Sequence, residues 1–372
     1  MKISCTQENL YRGLQVTSHI AGKESGLPIL TNVLLKAEGG LITLCSTNLE
    51  IGIQCRVRGK AEHDGSVALD ARITSEYVSL LPKDRIDIEV SAESVASVQC
   101  GTFSTKMKGV VADDFPIIPT IEKKEQTVVK IADIKRAIQN VLFAVKYDES
   151  RPELSGVYMA IQEANTLVLA GTDAYRLAEL TVPVTKNFAG TKEVIVPLRT
   201  LQELARILPD VSETVEIYIH DNQILFCTDE IDLISKTIAG QYPDYKQIIP
   251  QNHNTKAVID IQELTKAVKS SSIFSRAGLN DVTLQFASVS EGKGSLTISA
   301  SNTTVGEHTV VIPVKMEGGE NSVVLNHRYL LDGLSRMQGD QISFAAIDSN
   351  SPCVIKSLED ESYLYLVMPI RQ

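Results

Sequence analysis

The sequence predicts an α+β protein made of three repeats of one unit, each with two helices packed on one side of antiparallel sheet. Three observations lead there. Similar blocks return roughly every 120 residues along the chain. The second helix of each block begins at residue 70, 198 or 326, so successive starts lie 128 residues apart. Between the helices, apolar and polar residues alternate with the period of a strand.

Each repeat is read as opening with an amphipathic helix: 6–23, 132–151 and 260–276. In the second of these, Ile134, Ala137, Ile138, Val141, Leu142 and Val145 follow the i, i+3, i+4, i+7 spacing of one helix face, which must pack against sheet. Strand-like runs at 32–46, 166–172 and 294–301 come next in their repeats. They are punctuated by turn signals at Gly39-Gly40, Glu163-Ala164-Asn165 and Gly292-Lys293-Gly294. The second helices span 70–83, 198–209 and 326–339. Pro-rich aromatic connectors at 111–122 and 240–252 mark boundaries, giving domains 1–120, 121–250 and 251–372. The chain closes on YLYLVMPIRQ, in which 362–367 reads as a terminal strand followed by an exposed apolar end.

A length of 372 residues, 43% apolar and 22% charged, suits several globular cores, and no apolar run approaches a membrane span. No basic and apolar leader precedes Ile3, so a cytoplasmic protein is expected. Cys5, Cys45, Cys55, Cys100, Cys227 and Cys353 form no C-x-x-C pair and no His-spaced set, which predicts buried thiols and no metal. No cofactor is expected. The sequence has no G-x-S-x-G, H-E-x-x-H, phosphate loop or dinucleotide turn, and an enzyme is not expected. The nearest enzyme reading is a hydrolase with Asp173 as nucleophile.

The net charge of −10 argues against a polyanion partner, but its distribution does not. The six helical stretches together carry +5, leaving −15 on the rest of the chain. Arg12, Gln15, His19 and Lys23 share a stripe of the first helix. Lys135, Gln139 and Lys146 share one of the third, and Arg199, Gln202 and Arg206 one of the fourth. A solvated face in so acidic a chain should average negative, so a shared basic surface points toward a polyanion.

MKISCTQENLYRGL at the start, LPILTNVLL with the later TNLEIGI, GTDAYRLA at 171–178, YPDYKQIIP and the final VMPIR occur in this order. Together they resemble the bacterial sliding clamp family, the beta subunit of DNA polymerase III, over the full chain. The resemblance implies the clamp fold, closed as a head-to-tail homodimer whose ring surrounds double-stranded DNA. Its basic stripes, with Lys266 and Lys269 of the fifth helix, would face the DNA. Implied partners are the clamp loader, the polymerase III alpha subunit and other polymerases or repair proteins with clamp-binding peptides; no membrane is implied.

By the same resemblance, a peptide cleft between the second and third domains would comprise Leu154, Thr172, Ala174, Tyr175, Arg176, Leu177, Pro243, Gln247, Ile248, Asn326, Tyr329, Val367, Met368, Pro369, Ile370 and Arg371. Local sequence alone reads 172–176 as a tight turn with Asp173 bonding backbone N–H groups. The chain departs from many relatives at Ala174-Tyr175, which replaces Gly-His or Ser-His. It also departs at Gln372, where an apolar residue is usual, and at Lys23-Glu24-Ser25-Gly26, where some relatives are more basic. Ring closure would use Ile273 and Phe274, which local sequence also allows as a core contact ending the fifth helix. The competing class is a peptide-binding repeat scaffold that never encircles DNA.

Overall fold

The computed structural model describes residues 1–22, 27–186, 190–209 and 213–371. The first stretch runs β1 (Lys2–Thr6), α1 (Gln7–Thr17), β2 (Asn32–Glu38), β3 (Leu41–Thr47), β4 (Ile51–Val57), β5 (Gly59–His63), β6 (Gly65–Asp70), α2 (Ala71–Leu80), β7 (Arg85–Val90), β8 (Val95–Cys100) and β9 (Phe103–Lys108). The second runs β10 (Thr127–Lys130), α3 (Ile131–Val141), β11 (Gly156–Gln162), β12 (Thr166–Thr172), β13 (Arg176–Pro183), β14 (Lys192–Pro197), α4 (Leu198–Ile207), β15 (Thr214–His220), β16 (Gln223–Cys227) and β17 (Ile231–Lys236). The third runs β18 (Thr255–Asp260), α5 (Ile261–Ser272), β19 (Asp281–Ser290), β20 (Lys293–Asn302), β21 (Gly306–Gly318), β22 (Asn321–Asn326), α6 (His327–Leu334), β23 (Gln341–Ala346), β24 (Cys353–Ser357) and β25 (Tyr363–Val367).

Two helices per repeat are present, but no repeat opens on a helix. Each helix follows directly from a strand, and the residue at the seam often supplies the cap. Thr6, Asp70, Asp260 and Asn326 accept N–H groups of α1, α2, α5 and α6, Asp70 from Ile73 at 2.7 Å and Asp260 from Glu263 at 2.8 Å. A short polar acceptor satisfies an orphan donor while its extended backbone ends the strand.

The opening helices are also shorter than expected. The chain leaves α3 through a turn of tighter helix at 142–144, and Lys146 to Arg151 lie outside any helix. There Asp148 accepts N–H from Ser150 at 2.9 Å, a local bond that competes with helix. Pro152 then begins another short turn. Turn chemistry was correctly read elsewhere: Gly39, Gly40, Asn165 and Gly292 all have positive φ.

The chain forms two compact units. The first contains Met1–Ala132, Val184–Ala189 and Arg199–Thr237. Its strands form a five-stranded sheet, β5-β1-β7-β8-β9, and an eight-stranded sheet, β10-β15-β16-β17-β4-β3-β2-β6, both antiparallel. The eight-stranded sheet is continuous because β17 pairs with β4, Leu233 opposite Ile53. Leu10 and Leu14 of α1 and Val78 of α2 are buried in one core with Ile3, Leu35, Leu44 and Ile88 from both sheets. The connector 111–122 is packed rather than loose, since Phe115 is buried with Cys45 and Ala68.

The second unit contains Asp133–Pro183, Gly190–Leu198 and Ile238–Gln372. It is organised on one twelve-stranded sheet, β14-β11-β12-β13-β25-β24-β23-β18-β21-β20-β19-β22. The expected stripe on α3 is real, for Ile134, Ala137, Ile138 and Val141 are fully buried. Phe286 and Phe344 stack in the core at 5.2 Å between centroids. The terminal strand expected at 362–367 is present as β25, whereas the apolar end expected to be exposed beyond it is covered: Pro369 is buried and Ile370 half-buried. Tyr363 to Val367 are all buried, because β25 lies inside the sheet between β13 and β24 and not at an exposed end.

All six cysteines are free and buried. Burial pushes the Cys5, Cys55, Cys227 and Cys353 thiols up to about 12 and Cys45 up to about 11. The reactive thiolate is therefore scarce at pH 8. Iodoacetamide at that pH should leave the native protein unmodified and add six labels after unfolding, which intact-mass measurement would show. Native labelling at any of them would contradict the packed thiol. No helix of the described residues is long and apolar enough to cross a membrane, and no His/Cys/Asp/Glu group among them could hold a metal.

Candidate functional site

The turn between β12 and β13 is built by side chains folding back on their own backbone. Asp173 accepts the N–H groups of Tyr175 and Arg176, each at 3.0 Å, as expected of an Asx turn. Thr172 donates its hydroxyl to the Arg176 carbonyl at 2.6 Å and accepts the Ala174 N–H. Ala174 sits at φ 73°, a conformation that costs an L-residue roughly 1–2 kcal/mol and that the surrounding bonds enforce. Tyr175 is thereby held outward, 63% exposed.

Arg176 turns inward and joins this turn to α6. Its Nε donates to Asp173 at 3.0 Å and its Nη1 to Asp332 at 2.6 Å. The guanidinium lies 4.4 Å from the Tyr329 ring centroid and 5.3 Å from that of Phe143. Burial opposes its charge, but the bond to Asp332 and the nearby Asp173 carboxylate outweigh burial and raise its pKa above the ordinary value. Asn326 caps the same helix, and the Tyr365 hydroxyl donates to the Tyr329 carbonyl at 2.7 Å.

The end of the chain closes this neighbourhood. Val367 pairs with Arg176, Met368 donates its N–H to the Tyr175 carbonyl at 2.8 Å, and Ile370 donates to the Val324 carbonyl at 2.7 Å. Pro369 is buried, Ile370 half-buried and Arg371 exposed. Beside Tyr175 and Tyr329 opens a cleft of about 480 Å³, lined also by Leu154, Asp173 and the segment Lys146 to Arg151. Leu154, Leu177 and Met368 belong to one apolar cluster with Tyr242 and Tyr245. Three tyrosines and Leu154 set among charged groups can seat a short peptide.

Not every expected cleft residue reaches that opening. Pro243, Gln247 and Ile248 are exposed on the 240–252 connector, whose Tyr242 and Tyr245 pack into the cluster. Gln247 bonds Asp244 at 2.9 Å and does not line the cavity. Lys146 is corrected. It leaves the helical stripe expected for it and lines the cleft with Tyr147, 70% exposed, which the sequence reading missed. Asp148, Ser150 and Pro152 were the available signal for a turn.

Three of the basic residues, Arg12, His19 and Arg206, are engaged. Arg12 pairs with Glu230, and Arg58 reaches the same carboxylate at 2.8 Å. His19 lies past the end of α1, 2.5 Å from Glu203. Arg206 donates to Glu203 at 2.9 Å and to the Gln15 and Val16 carbonyls at 2.8 and 2.9 Å, capping the C-terminal end of α1. Gln15, Gln139, Arg199, Gln202, Lys266 and Lys269 are exposed, and Lys135 is half-buried. Lys23 and its three following residues, like Gln372, lie outside the described residues.

Three family models match in chain order: the N-terminal domain of the DNA polymerase III beta subunit over residues 1–119, the central domain over 128–244 and the C-terminal domain over 246–371. The chain belongs to the bacterial sliding clamp family. A beta sliding clamp of Bacillus subtilis is 28% identical, with all of both chains covered, and one of Synechococcus elongatus is 29% identical over all of this chain and 99% of its own. A solved sliding clamp of Bacillus subtilis superposes with a TM-score of 0.93 at 27% identity, covering 100% of this chain and 99% of that one. A Pseudomonas aeruginosa beta subunit gives 0.93 at 28%, with both chains covered in full. Three clamp domains and the function of a DNA sliding clamp follow, and the scaffold alternative finds no support.

Within a sliding clamp, Ala174 stands at a positive φ that Gly adopts without strain. A clamp also needs surfaces for its own closure. Ile273 is 69% exposed just beyond α5, which removes the core-contact reading for it. Phe274 is half-buried and stacks on His308 at 5.5 Å. In the other unit, Ile73 and Leu80 are 53% and 80% exposed on one stripe of α2 with the half-buried Tyr77. The i, i+4, i+7 spacing of Ile73, Tyr77 and Leu80 was the signal available in the sequence.

Proposed function

We propose that the chain acts as a head-to-tail homodimeric ring of six domains, with boundaries in each chain near 120 and 250, which surrounds duplex DNA without reading its sequence. The cleft between the second and third domains captures short linear peptides of the clamp loader, the polymerase III alpha subunit and other polymerases or repair proteins. The observation that carries the peptide reading is the cleft beside Tyr175 and Tyr329, adjoining the apolar cluster of Leu154, Leu177 and Met368. Met368 has the adaptable side chain that varied guests need.

Cations on the helices attract phosphates without base readout, so contact is loose and retention comes from closure of the ring. The protein performs no chemistry, needs no cofactor and works in the cytoplasm; its contribution is a mobile tether.

The deciding test loads the protein onto nicked circular DNA with its cognate clamp loader and ATP, then linearises the DNA. Retention on circles through a high-salt wash, lost on cutting, is expected. Equal and salt-sensitive binding to both forms would sink the ring.

A further inference from the structure

The stripe of α1 read as facing DNA carries its own counterions. We infer that Glu230 is a masking residue, holding Arg12 and Arg58 in check so that the ring grips the duplex weakly. This inference rests on the ring reading above.

Glu230 precedes β17, and its backbone carbonyl accepts the Arg56 N–H at 2.8 Å, which fixes the carboxylate at the β4–β17 seam. Its two oxygens then divide between two cations. Oε2 takes the Arg12 guanidinium from α1, and Oε1 takes that of Arg58 at 2.8 Å. The carboxylate is mostly covered, with 23% of its side chain exposed, whereas Arg12 and Arg58 remain 51% and 77% exposed. Both arginines thus stand in solvent within reach of a phosphate while leaning on a carboxylate that cannot leave.

Neighbouring Arg56 is held apart from this competition, through Asp232 at 2.6 Å and the Asp229 carbonyl at 2.9 Å. The four residues line a cleft of about 840 Å³ with Lys123, Glu213 and Glu216, where cations and carboxylates are interleaved. A site built for tight anion binding would not place an ionised carboxylate between its arginines. A surface that must let DNA slide gains from one, because each phosphate that approaches competes with Glu230 for the Arg12 N–H and for the charge of Arg58.

The test compares the full-length clamp with its Glu230→Gln variant on short linear duplex, by fluorescence anisotropy across a salt series. Freeing two arginines should tighten binding about tenfold at low salt and steepen the dependence of log K on log salt by ~1–2. The Glu93→Gln variant removes the same charge at an exposed turn and should leave both unchanged. Adding Arg12→Ala and Arg58→Ala to Glu230→Gln should return binding to the native level or below.

A Glu230→Gln protein with native affinity and slope would overturn the masking role, as would one in which the arginine substitutions reverse nothing. If Glu230→Gln does not fold, the Arg12→Ala/Arg58→Ala pair in the native background decides. Masking predicts that this pair costs less affinity than Lys266→Ala/Lys269→Ala on the exposed face of α5, and an equal or larger loss would overturn it. Native protein retained on circles with an unaltered Glu230→Gln variant rejects masking alone. Failure of the native protein to be retained on circles rejects the ring reading and masking with it.

Discussion

The double substitution Ile273→Lys/Phe274→Lys should leave the protein a monomer of about 40.6 kDa in sedimentation analysis and strip it from circular DNA after loading. Ile273 is 69% exposed, so Ile273→Lys costs the isolated chain little, and the substitution acts on whatever covers that side chain. Burying an Ile side chain contributes about 1.5–3 kcal/mol, and a head-to-tail ring of two chains uses the surface at both of its junctions. A Lys there forfeits that burial and introduces an unpaired charge. Phe274→Lys also breaks the stack on His308. Ile273→Lys alone therefore separates loss of association from local damage. An unchanged mass for the double variant would remove these residues from ring closure.

Arg176→Ala should lower the free energy of unfolding by about 3–5 kcal/mol and abolish capture of a fluorescent clamp-binding peptide. The magnitude comes mainly from Asp173, whose side chain is 6% exposed and would lose its cationic partner. Asp332 is 49% exposed and regains water, so its share is small. The ring contacts with Tyr329 and Phe143 disappear as well. Arg176→Lys keeps the charge but not the planar fork, and should fall between native and Ala in both denaturant midpoint and peptide affinity. A stable Arg176→Ala protein that binds peptide normally would show that the turn and α6 need no clamp.

Much of the architecture was legible because it rests on periodicity. The 128-residue spacing located α2, α4 and α6, and the buried stripe Ile134, Ala137, Ile138 and Val141 was visible as a pattern before its sheet was known. The Asp173 turn was legible for a chemical reason, since a short carboxylate bonds N–H groups two and three residues ahead. What escaped depends on distant residues. The strands preceding each helix are only 4 to 6 residues long, too short for alternation to separate from the helical pattern that follows.

Arg206 looked like a free cation on a helix face. Beyond the adjacent Glu203, its partners are the Gln15 and Val16 carbonyls, which lie about 190 positions earlier in the chain and cannot be read from spacing. The C-terminal segment misled in the opposite direction. Pro369 and Ile370, apolar residues beyond a strand, suggested exposure, whereas β25 before them lies inside the sheet and seats them: Pro369 is buried and Ile370 donates its N–H to the Val324 carbonyl.

That inserted strand also gives the molecule a schedule. During synthesis β13 and β24 emerge with open edges, and β25, made after every other strand of its sheet, is the piece that bridges them. A chain cut short before Tyr363 leaves the other eleven strands as a group of four and a group of seven, each with a bare edge exposed to aggregation. Met368, just beyond β25, packs into the apolar cluster of Leu154 and Leu177, so closing the sheet and completing the border of the cleft depend on the same strand.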